Sequence, residues 1–123
     1  MFGIVNLTKR HPPRLPWRRI AEYVLGKRYD TSLVFADDAR SKALNRLYRK
    51  KNKSANVLSF PISPEMGEVV LNLGLAAREA VTLGINARRR SAYLFIHGLL
   101  HLKGYRHGST MERKERQLMN RFI

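Results

Sequence analysis

Residues 56–72 read NVLSFPISPEMGEVVLN, and this stretch indicates the sheet on which the fold is built. Residues 56–60 are rich in apolar side chains and predict a strand that ends at Pro61. Residues 62–67 contain proline, serine and glycine, which are typical of a turn. Residues 68–72 are again apolar and predict a second strand. The middle of the chain is therefore expected to form two strands joined by a turn.

Two further strands and a helix are predicted upstream of this pair. Residues 3–7 and 32–36 are short apolar runs with the length of strands. Between them, apolar residues recur at helical spacing from Trp17 onward, directly after Pro16, which can begin a helix. Gly26 is expected to end that helix.

A second helix is expected directly after the strand at residues 32–36. Either Asp37 or Asp38 can accept hydrogen bonds from the backbone N–H groups of its first turn, as an N-terminal cap does. Its buried face is expected to consist of four residues: Ala39, Leu44, Leu47 and Tyr48.

Downstream of the strand pair, the chain is predicted to be helical. Residues 73–83 and about 87–102 have helical patterns, and each is followed by a glycine that can end a helix, Gly84 and Gly104. Residues 109–112 read Ser-x-x-Glu, which has the form of a capping box and predicts a last helix.

Four short strands and about five helices in this order predict an α+β fold, in which the helices pack around a small mixed sheet. A length of 123 residues suits one domain, so we expect residues 1–123 to fold as a single unit. The chain has no cysteine, which excludes disulfides and cysteine-ligated metal sites. A metal would have to be held by histidine, carboxylate or backbone oxygen.

The most apolar stretch, residues 93–102, is about half as long as a membrane span and contains two histidines. The first seven residues lack the basic start and the long apolar run of a signal peptide. We therefore expect a cytoplasmic protein that makes no contact with a membrane.

The chain carries 24 Lys and Arg against 9 Asp and Glu, which gives a formal net charge of +15. Such an excess attracts polyanions, and nucleic acid is the partner that we expect. Solvated helix faces on a generally basic protein are the alternative interpretation of any one basic cluster. RNA binding is expected for two clusters: Lys50, Lys51 and Lys53, and Arg88, Arg89 and Arg90.

Three of the four histidines fall within residues 97–107, which read HGLLHLKGYRH. His97 and His101 are four residues apart and would share one face of a helix. Gly104 allows the chain to reverse after that helix, which can bring His107 round to supply a third nitrogen. Three neutral imidazoles can hold a divalent ion and leave a position for water or substrate. The alternative is that the rings bind no metal and are satisfied by nearby carbonyl groups.

The same histidine spacing occurs in metzincin proteases, which place a glutamate directly after the first histidine as the general base. Gly98 occupies that position here and has no side chain to accept a proton. A net charge of +15 would also bring a peptidase little advantage in binding its substrate. The pattern therefore favours a metal hydrolase over a protease.

The histidine segment resembles the H-G-x-L-H-L-x-G-Y-D-H signature of the YbeY endoribonucleases, bacterial metalloproteins of rRNA maturation. Residues 44–49 and 56–61 resemble that family's L-N-x-x-Y-R and N-V-L-S-F-P segments, and residues 66–70 resemble its L-G-D-[IV]-V stretch. The resemblance runs in order from about residue 37 to residue 107 and hardly extends into the C-terminal helix.

This resemblance implies a single-strand-specific, metal-dependent endoribonuclease. It would act in maturation of the 3′ end of small-subunit (16S) rRNA and in ribosome quality control. The expected partners are single-stranded rRNA, the small ribosomal subunit and ribosome-associated proteins. The resemblance also implies one Zn²⁺ per chain, held by His97, His101 and His107 with water or substrate as the remaining ligand, and no small-molecule cofactor. Arg49 takes the place of a family arginine that faces the metal cleft, so it is implied to be catalytic.

Ser59 and Arg106 are candidate phosphate contacts. Arg106 stands where the family has aspartate, and loss of a carboxylate that supports the site would lower metal affinity about ten- to a hundredfold. Glu68 also stands where the family has aspartate and is a candidate general base. The alternatives are a non-catalytic RNA- or ribosome-binding protein with a structural metal and, less favoured, a metallopeptidase.

Overall fold

The computed structural model describes all residues, 1–123, and contains four strands and five helices. The strands are β1 (Phe2–Asn6), β2 (Asp30–Phe35), β3 (Val57–Ser63) and β4 (Met66–Leu71). The helices are α1 (Trp17–Leu25), α2 (Asp38–Arg49), α3 (Leu73–Leu83), α4 (Ala87–Lys103) and α5 (Ser109–Phe122). The predicted α+β fold is confirmed.

The four strands form one mixed sheet in the order β1-β2-β4-β3. The first three of these run parallel, and β3 pairs antiparallel with β4. Strand β3 is therefore an edge of the sheet. None of the helices combines the length and the apolarity that crossing a membrane would need.

Strand β3 does not end at Pro61, as the sequence predicts, but continues to Ser63. Pro61 lies opposite Gly67 on β4, and the register shifts between Pro61 and Ser63. A proline is tolerated here because β3 is an edge strand and an irregularity follows at once, so the missing N–H breaks no regular ladder. The connection between the strands is correspondingly shorter than the predicted turn.

Helix α4 is the centre of the main core. Phe95, Ile96 and Leu99 are fully buried in a cluster of 19 residues that includes side chains of the sheet and of α1 and α5. Trp17 of α1 packs edge-on against Phe95, with the ring centroids 5.1 Å apart. Burial on several sides explains why α4 is apolar around most of its circumference.

Helix α4 approaches the sheet closely at Gly98. A Cβ atom at this position would lie 2.9 Å from Cγ1 of Val69 and 3.1 Å from both Cγ2 of Val57 and Oγ of Ser59. The Ser59 hydroxyl donates a hydrogen bond to the carbonyl of Gly98 at 2.8 Å. The absence of a side chain thus lets the backbone of α4 lie directly on β3 and β4.

The N-terminus of α2 is capped by Asp37, whose carboxylate accepts a hydrogen bond from the backbone N–H of Arg40 at 2.9 Å. The predicted apolar face of this helix is wrong. The side chains of Leu47 and Tyr48 are 68% and 62% exposed, and Ala39 is also exposed. Only Leu44 packs inward, against a small second cluster on the other face of the sheet.

The buried residues of α2 are instead polar, Ser41 and Asn45. The Ser41 hydroxyl donates to the carbonyl of Ala55 at 2.6 Å and accepts from its N–H at 3.0 Å. The Asn45 amide donates to the carbonyl of Lys53 at 3.0 Å. This face is polar because its side chains form hydrogen bonds with backbone groups of the segment between α2 and β3. The spacing of apolar residues cannot reveal such bonds.

The last helix begins at Ser109, as predicted, but the capping box does not form. No side chain caps this helix, and Gly108 precedes its first residue. The backbone N–H of Glu112 bonds to the carbonyl of Gly108 at 3.0 Å, as in a regular first turn. The buried stripe of α5 consists of Met111, Glu115, Leu118 and Met119.

Candidate metal centre

His97, His101 and His107 converge beside the C-terminal end of α4. Their ring centroids lie 4.6 Å apart for the pairs 97–101 and 101–107, and 5.1 Å apart for the pair 97–107. One ring nitrogen of each lies within 4.8 Å of the others. The Nε2 atoms of His97 and His101 are 3.1 Å apart. Two nitrogens bound to one tetrahedral Zn²⁺ would be separated by about 3.3 Å, so this spacing fits a shared ion.

The convergence follows from two local features of the chain. His97 and His101 occupy successive turns of α4, and the helix ends at Lys103. Gly104 then adopts φ +107, which favours glycine, and its N–H bonds to the carbonyl of His101 at 3.0 Å. The reversal carries His107 back to the other two rings, as the sequence predicts.

Each of the two helical histidines has a hydrogen bond at Nδ1. Nδ1 of His101 donates to the carbonyl of Tyr105 at 3.0 Å, because a carbonyl can only accept. Nδ1 of His97 lies 2.5 Å from a carboxylate oxygen of Glu115. Hydrogen bonds at Nδ1 direct the lone pairs of Nε2 toward the centre of the cluster, which is the arrangement of metal-ligating histidines.

The protonation of His101 also suits a ligand. Burial is the main cause that lowers the pKa of His101, and the neighbouring His97 and His107 lower it further, whereas the hydrogen bond to Tyr105 acts in the opposite direction. A lowered pKa keeps the imidazole neutral, and only the neutral ring can bind a metal. The donor set and its hydrogen bonds therefore fit a metal ion.

The three histidines open into a cleft of about 660 Å³. The rest of its lining comes from the end of α2 and from the segment that begins β3: Tyr48, Arg49, Asn56, Val57, Leu58, Ser59 and Phe60. The exposed ring of Tyr48 meets Phe60 edge-on, with the centroids 5.2 Å apart. No carboxylate lines the cleft, and Arg49 is the only Lys or Arg residue in its lining.

A family model described as Endoribonuclease YbeY matches residues 17–123 of this chain. The chain belongs to the YbeY family. The match extends past His107 to the last residue, so α5, which the motifs left outside the resemblance, is part of the family likeness. Helix α1 is included as well.

Individual relatives agree with the family match. The Endoribonuclease YbeY of Aquifex aeolicus is 37% identical over 113 residues, which cover 85% of this chain and 75% of the relative. That of Geobacter metallireducens is 34% identical and covers 94% of this chain and 91% of the relative. A solution structure from Thermotoga maritima has a TM-score of 0.68 at 20% identity, over 97% of this chain and 87% of that one. This last likeness supports the fold alone.

Arg49, the residue implied to be catalytic by the YbeY motif, lies at the C-terminal end of α2 and lines the cleft together with the histidines. Its side chain is exposed, and the ion pairs of the chain do not include it. Lys50 follows in a left-handed conformation with φ 57, which ends the helix directly after Arg49. The guanidinium is thus available to a ligand in the cleft.

The lysines after α2 flank this cleft. Lys50, Lys51 and Lys53 are exposed, and the last two line a smaller hollow with Arg49. The segment is fixed by Asn45, whose carbonyl accepts the N–H of Lys51 and whose amide bonds to Lys53. The hollow lined by Lys51 and Lys53 thus shares Arg49, Asn56 and Val57 with the cleft that contains the histidines.

The arginines at the start of α4 do not line the metal cleft, and their three side chains have different partners. Arg90 pairs with Glu79 at 3.0 Å, and its guanidinium lies 5.2 Å from the ring centroid of Tyr93. Nε of Arg88 donates to the carbonyl of Arg14 at 3.0 Å. Arg89 borders a separate cavity between α4 and α5. Two of the three guanidinium groups are thus already engaged within the chain.

The remaining predicted residues are placed differently from expectation. Ser59 lines the cleft, but its hydroxyl proton is committed to the carbonyl of Gly98. Arg106 is exposed and does not line the cleft. Glu68 precedes Val69, which packs against Gly98, so strand alternation turns Glu68 to the opposite face of the sheet. Glu68, the candidate general base, therefore does not face the metal cleft.

Sequence reasoning missed Glu115, whose carboxylate reaches His97 from α5. Its signal in the sequence is its position: it lies in the same helical stripe as Met111, Leu118 and Met119. A carboxylate in the apolar stripe of an amphipathic helix requires a buried partner. The stripe could have revealed that such a partner exists, although not which residue it is.

Proposed function

We propose that this chain is a metal-dependent endoribonuclease that cleaves single-stranded RNA. The observation that carries the proposal is the presence of three convergent imidazoles and an available guanidinium, Arg49, in one cleft. The names of the Aquifex and Geobacter relatives, both Endoribonuclease YbeY, support RNA as the substrate. The net charge of +15 supports it as well, because it favours binding of a polyanion.

We infer that the resident metal is zinc, held by His97, His101 and His107. Imidazole nitrogen suits zinc, and three protein ligands are typical of catalytic zinc sites, which keep one position for water or substrate. When bound, the ion supplies Lewis acidity toward a phosphoryl oxygen and makes a water ligand more acidic. The histidines themselves act by holding three ring nitrogens in place, and two of the rings are fixed through hydrogen bonds at Nδ1.

Arg49 binds the phosphodiester. Its planar guanidinium can donate two parallel hydrogen bonds to the nonbridging oxygens of one phosphate. Negative charge on these oxygens grows in the transition state, so the interaction is stronger there than in the ground state and lowers the barrier. Arg49 is therefore assigned as a catalytic residue rather than only as part of the basic surface.

Tyr48 provides the preference for unpaired RNA. Tyr48 is 62% exposed and lines the same cleft as the histidines, so its ring can stack on a base that has left the helical stack. A base within a duplex is already stacked on its neighbours and is not available to such a ring. Lys50, Lys51 and Lys53 bind the backbone beside the cleft without reading its sequence.

Within this class of substrate, we propose the 3′ end of small-subunit rRNA, in the cytoplasm, and an association with the small ribosomal subunit. The support for this narrower proposal is the resemblance of residues 37–107 to the YbeY motifs. A non-catalytic RNA-binding protein with a structural metal is the second candidate. Proteolysis is disfavoured because the cleft contains no carboxylate and Gly98 has no room for one.

The test compares RNA and protein substrates with and without a chelator. The purified protein is analysed for metal content and then incubated with an unstructured RNA, with the same RNA annealed to its complement, and with casein. We expect zinc in the protein, cleavage of the single strand that a chelator abolishes, and no proteolysis. His97→Ala and His101→Ala should both lose the cleavage. Equal cleavage by these variants would contradict the metal enzyme, and chelator-sensitive proteolysis without RNA cleavage would contradict the choice of substrate.

A further inference from the structure

Glu115 is the only residue with a charged side chain among the buried residues of the chain, at 4% exposure. An ionised carboxylate loses several kcal/mol of hydration on burial unless other groups compensate it. The chain has 24 Lys and Arg, yet none of them pairs with Glu115, and the side chain that its carboxylate contacts most closely is the imidazole of His97. The burial of this carboxylate is therefore best understood through its contact with a candidate metal ligand.

The contact is built from two helices that are separate in the sequence. Oε2 of Glu115 lies 2.5 Å from Nδ1 of His97, across the junction of α5 and α4. Oε1 of the same carboxylate lies 3.4 Å from the hydroxyl of Tyr93, and the ring of Tyr93 stacks on that of His97 with centroids 6.1 Å apart. His97 is thus held both at its edge and on one face.

The hydroxyl of Tyr93 donates to Oε1 of Glu115, because an ionised carboxylate can only accept. One oxygen of Glu115 then accepts from Tyr93 while the other accepts from His97.

We propose that Glu115 is a positioning residue of the metal centre, which holds His97 in the tautomer protonated at Nδ1 and thereby presents Nε2 to the ion. His101 obtains the same tautomer from the backbone carbonyl of Tyr105, which carries no charge. Glu115 in addition places a negative charge behind one ligand. That charge offsets part of the repulsion that a chain of +15 exerts on a cation.

Position 106, where the family signature has aspartate, holds an arginine that is exposed and does not line the cleft. The carboxylate that contacts a metal-ligand candidate in this chain comes from α5. The inference rests on the proposed metal function, but its hydrogen bond can be tested without metal and without RNA.

The experiment uses the full chain and four forms: wild type, Glu115→Ala, Glu115→Gln and the control Glu112→Gln. Glu112 is exposed, lies one turn before Glu115 on α5 and borders the same α4–α5 cavity, but it does not contact His97. The dissociation constant for Zn²⁺ is measured by competition with a chromophoric chelator. The tautomer of His97 is read from two-bond ¹H–¹⁵N couplings in the metal-free protein.

We expect Glu115→Ala to weaken Zn²⁺ binding about ten- to a hundredfold and to lose the predominance of the Nδ1-protonated form of His97. Glu115→Gln should lie between this variant and wild type, because an amide oxygen still accepts from Nδ1 but carries no charge. Glu112→Gln should match wild type in both measurements. Thermal unfolding of the metal-free variants is recorded as well, because removal of one partner of a buried pair leaves the other partner unpaired and should lower the stability of Glu115→Ala more than that of Glu115→Gln.

Wild-type zinc affinity and an unchanged His97 tautomer in Glu115→Ala would overturn the proposal. If wild type itself binds no zinc, the proposed metal function fails, whereas the tautomer measurement still decides whether Glu115 orients His97. If Glu115→Ala does not fold, Glu115→Gln is compared with Glu112→Gln instead. Glu115→Gln should then bind Zn²⁺ more weakly than Glu112→Gln, and equal affinity together with an unchanged His97 tautomer would overturn the proposal.

Discussion

The hydroxyl of Ser59 donates a hydrogen bond to the carbonyl of Gly98 at 2.8 Å and so joins the edge strand β3 to the helix that carries two of the three histidines. The bond is possible only because Gly98 lets the helix backbone lie against the strand. The position of the cleft relative to the histidines therefore depends on a residue without a side chain.

Substitution of Gly98 by alanine should destabilise the protein. The new methyl group would lie 2.9 Å from Cγ1 of Val69, so the Val69 side chain or the backbone around it would have to shift, at a cost of about 1–3 kcal/mol in the free energy of unfolding. Urea denaturation would measure the loss. Gly3→Ala is a suitable control because a Cβ there meets no atom within 4 Å. Equal stability of both variants would show that the close approach at Gly98 is not required.

Substitution of Arg49 should affect cleavage more than binding. We expect Arg49→Ala to lower the single-turnover cleavage rate about a hundred- to a thousandfold, because the guanidinium stabilises charge that develops in the transition state. Filter binding of the same RNA should change far less. Arg49→Lys keeps the charge but not the two-pronged geometry, so it should recover binding rather than rate. A loss confined to binding would assign Arg49 to the basic surface instead.

The lysines beside the cleft should contribute to binding through salt-sensitive interactions with phosphate. Lys51→Ala and Lys53→Ala together should weaken RNA binding and reduce the slope of log affinity against log salt by about 0.7 for each lysine–phosphate interaction that is removed. Arg90→Ala is the contrasting variant, because its guanidinium is already paired with Glu79 and lies over Tyr93. Arg90→Ala should lower the free energy of unfolding and leave the salt dependence of RNA binding nearly unchanged. If it instead reduced the salt dependence while the lysine variants did not, the arginines at the start of α4 would be the RNA-binding cluster.

Tyr48 should discriminate single-stranded from double-stranded RNA. Removal of its ring in Tyr48→Ala should weaken binding of an unstructured oligonucleotide by about 1–3 kcal/mol, whereas Tyr48→Phe should retain most of the affinity, because stacking needs the ring and not the hydroxyl. Tyr23→Ala serves as the control, since Tyr23 is 55% exposed but packs on Phe122 and does not line the cleft. An equal loss in the Tyr23 variant would point to a general effect of exposed aromatic residues.

Much of the secondary structure could be predicted from local signals. The start of α1 at Trp17 and the ends of α3 and α4 before Gly84 and Gly104 were predicted to within a residue. These signals depend on the backbone of a few consecutive residues: a proline that can begin a helix and glycines that accept a left-handed conformation. Pro61 does not end its strand, because the effect of a proline depends on whether the strand lies at an edge, which is a property of the whole sheet.

The buried face of α2 shows the limit of reasoning from apolar spacing. Leu47 and Tyr48 have the pattern of core residues but are exposed, and Ser41 and Asn45 are buried because backbone groups of a later segment bond to them. Hydrophobic periodicity reports which residues avoid water on average, and it carries no information about a polar partner that arrives from elsewhere in the chain.

The sequence by itself determined the three metal-ligand candidates, because two lie on successive turns of one helix and the third follows a glycine that reverses the chain. The resemblance to the YbeY motifs added Arg49, whereas only the tertiary structure decided the rest of the surroundings: Tyr48 from α2, and Glu115 from α5 behind His97. The physical reason is the distance along the sequence over which each interaction acts. Helix geometry and glycine conformation act over a few residues, whereas the contact between Glu115 and His97 exists only after α4 and α5 have packed together.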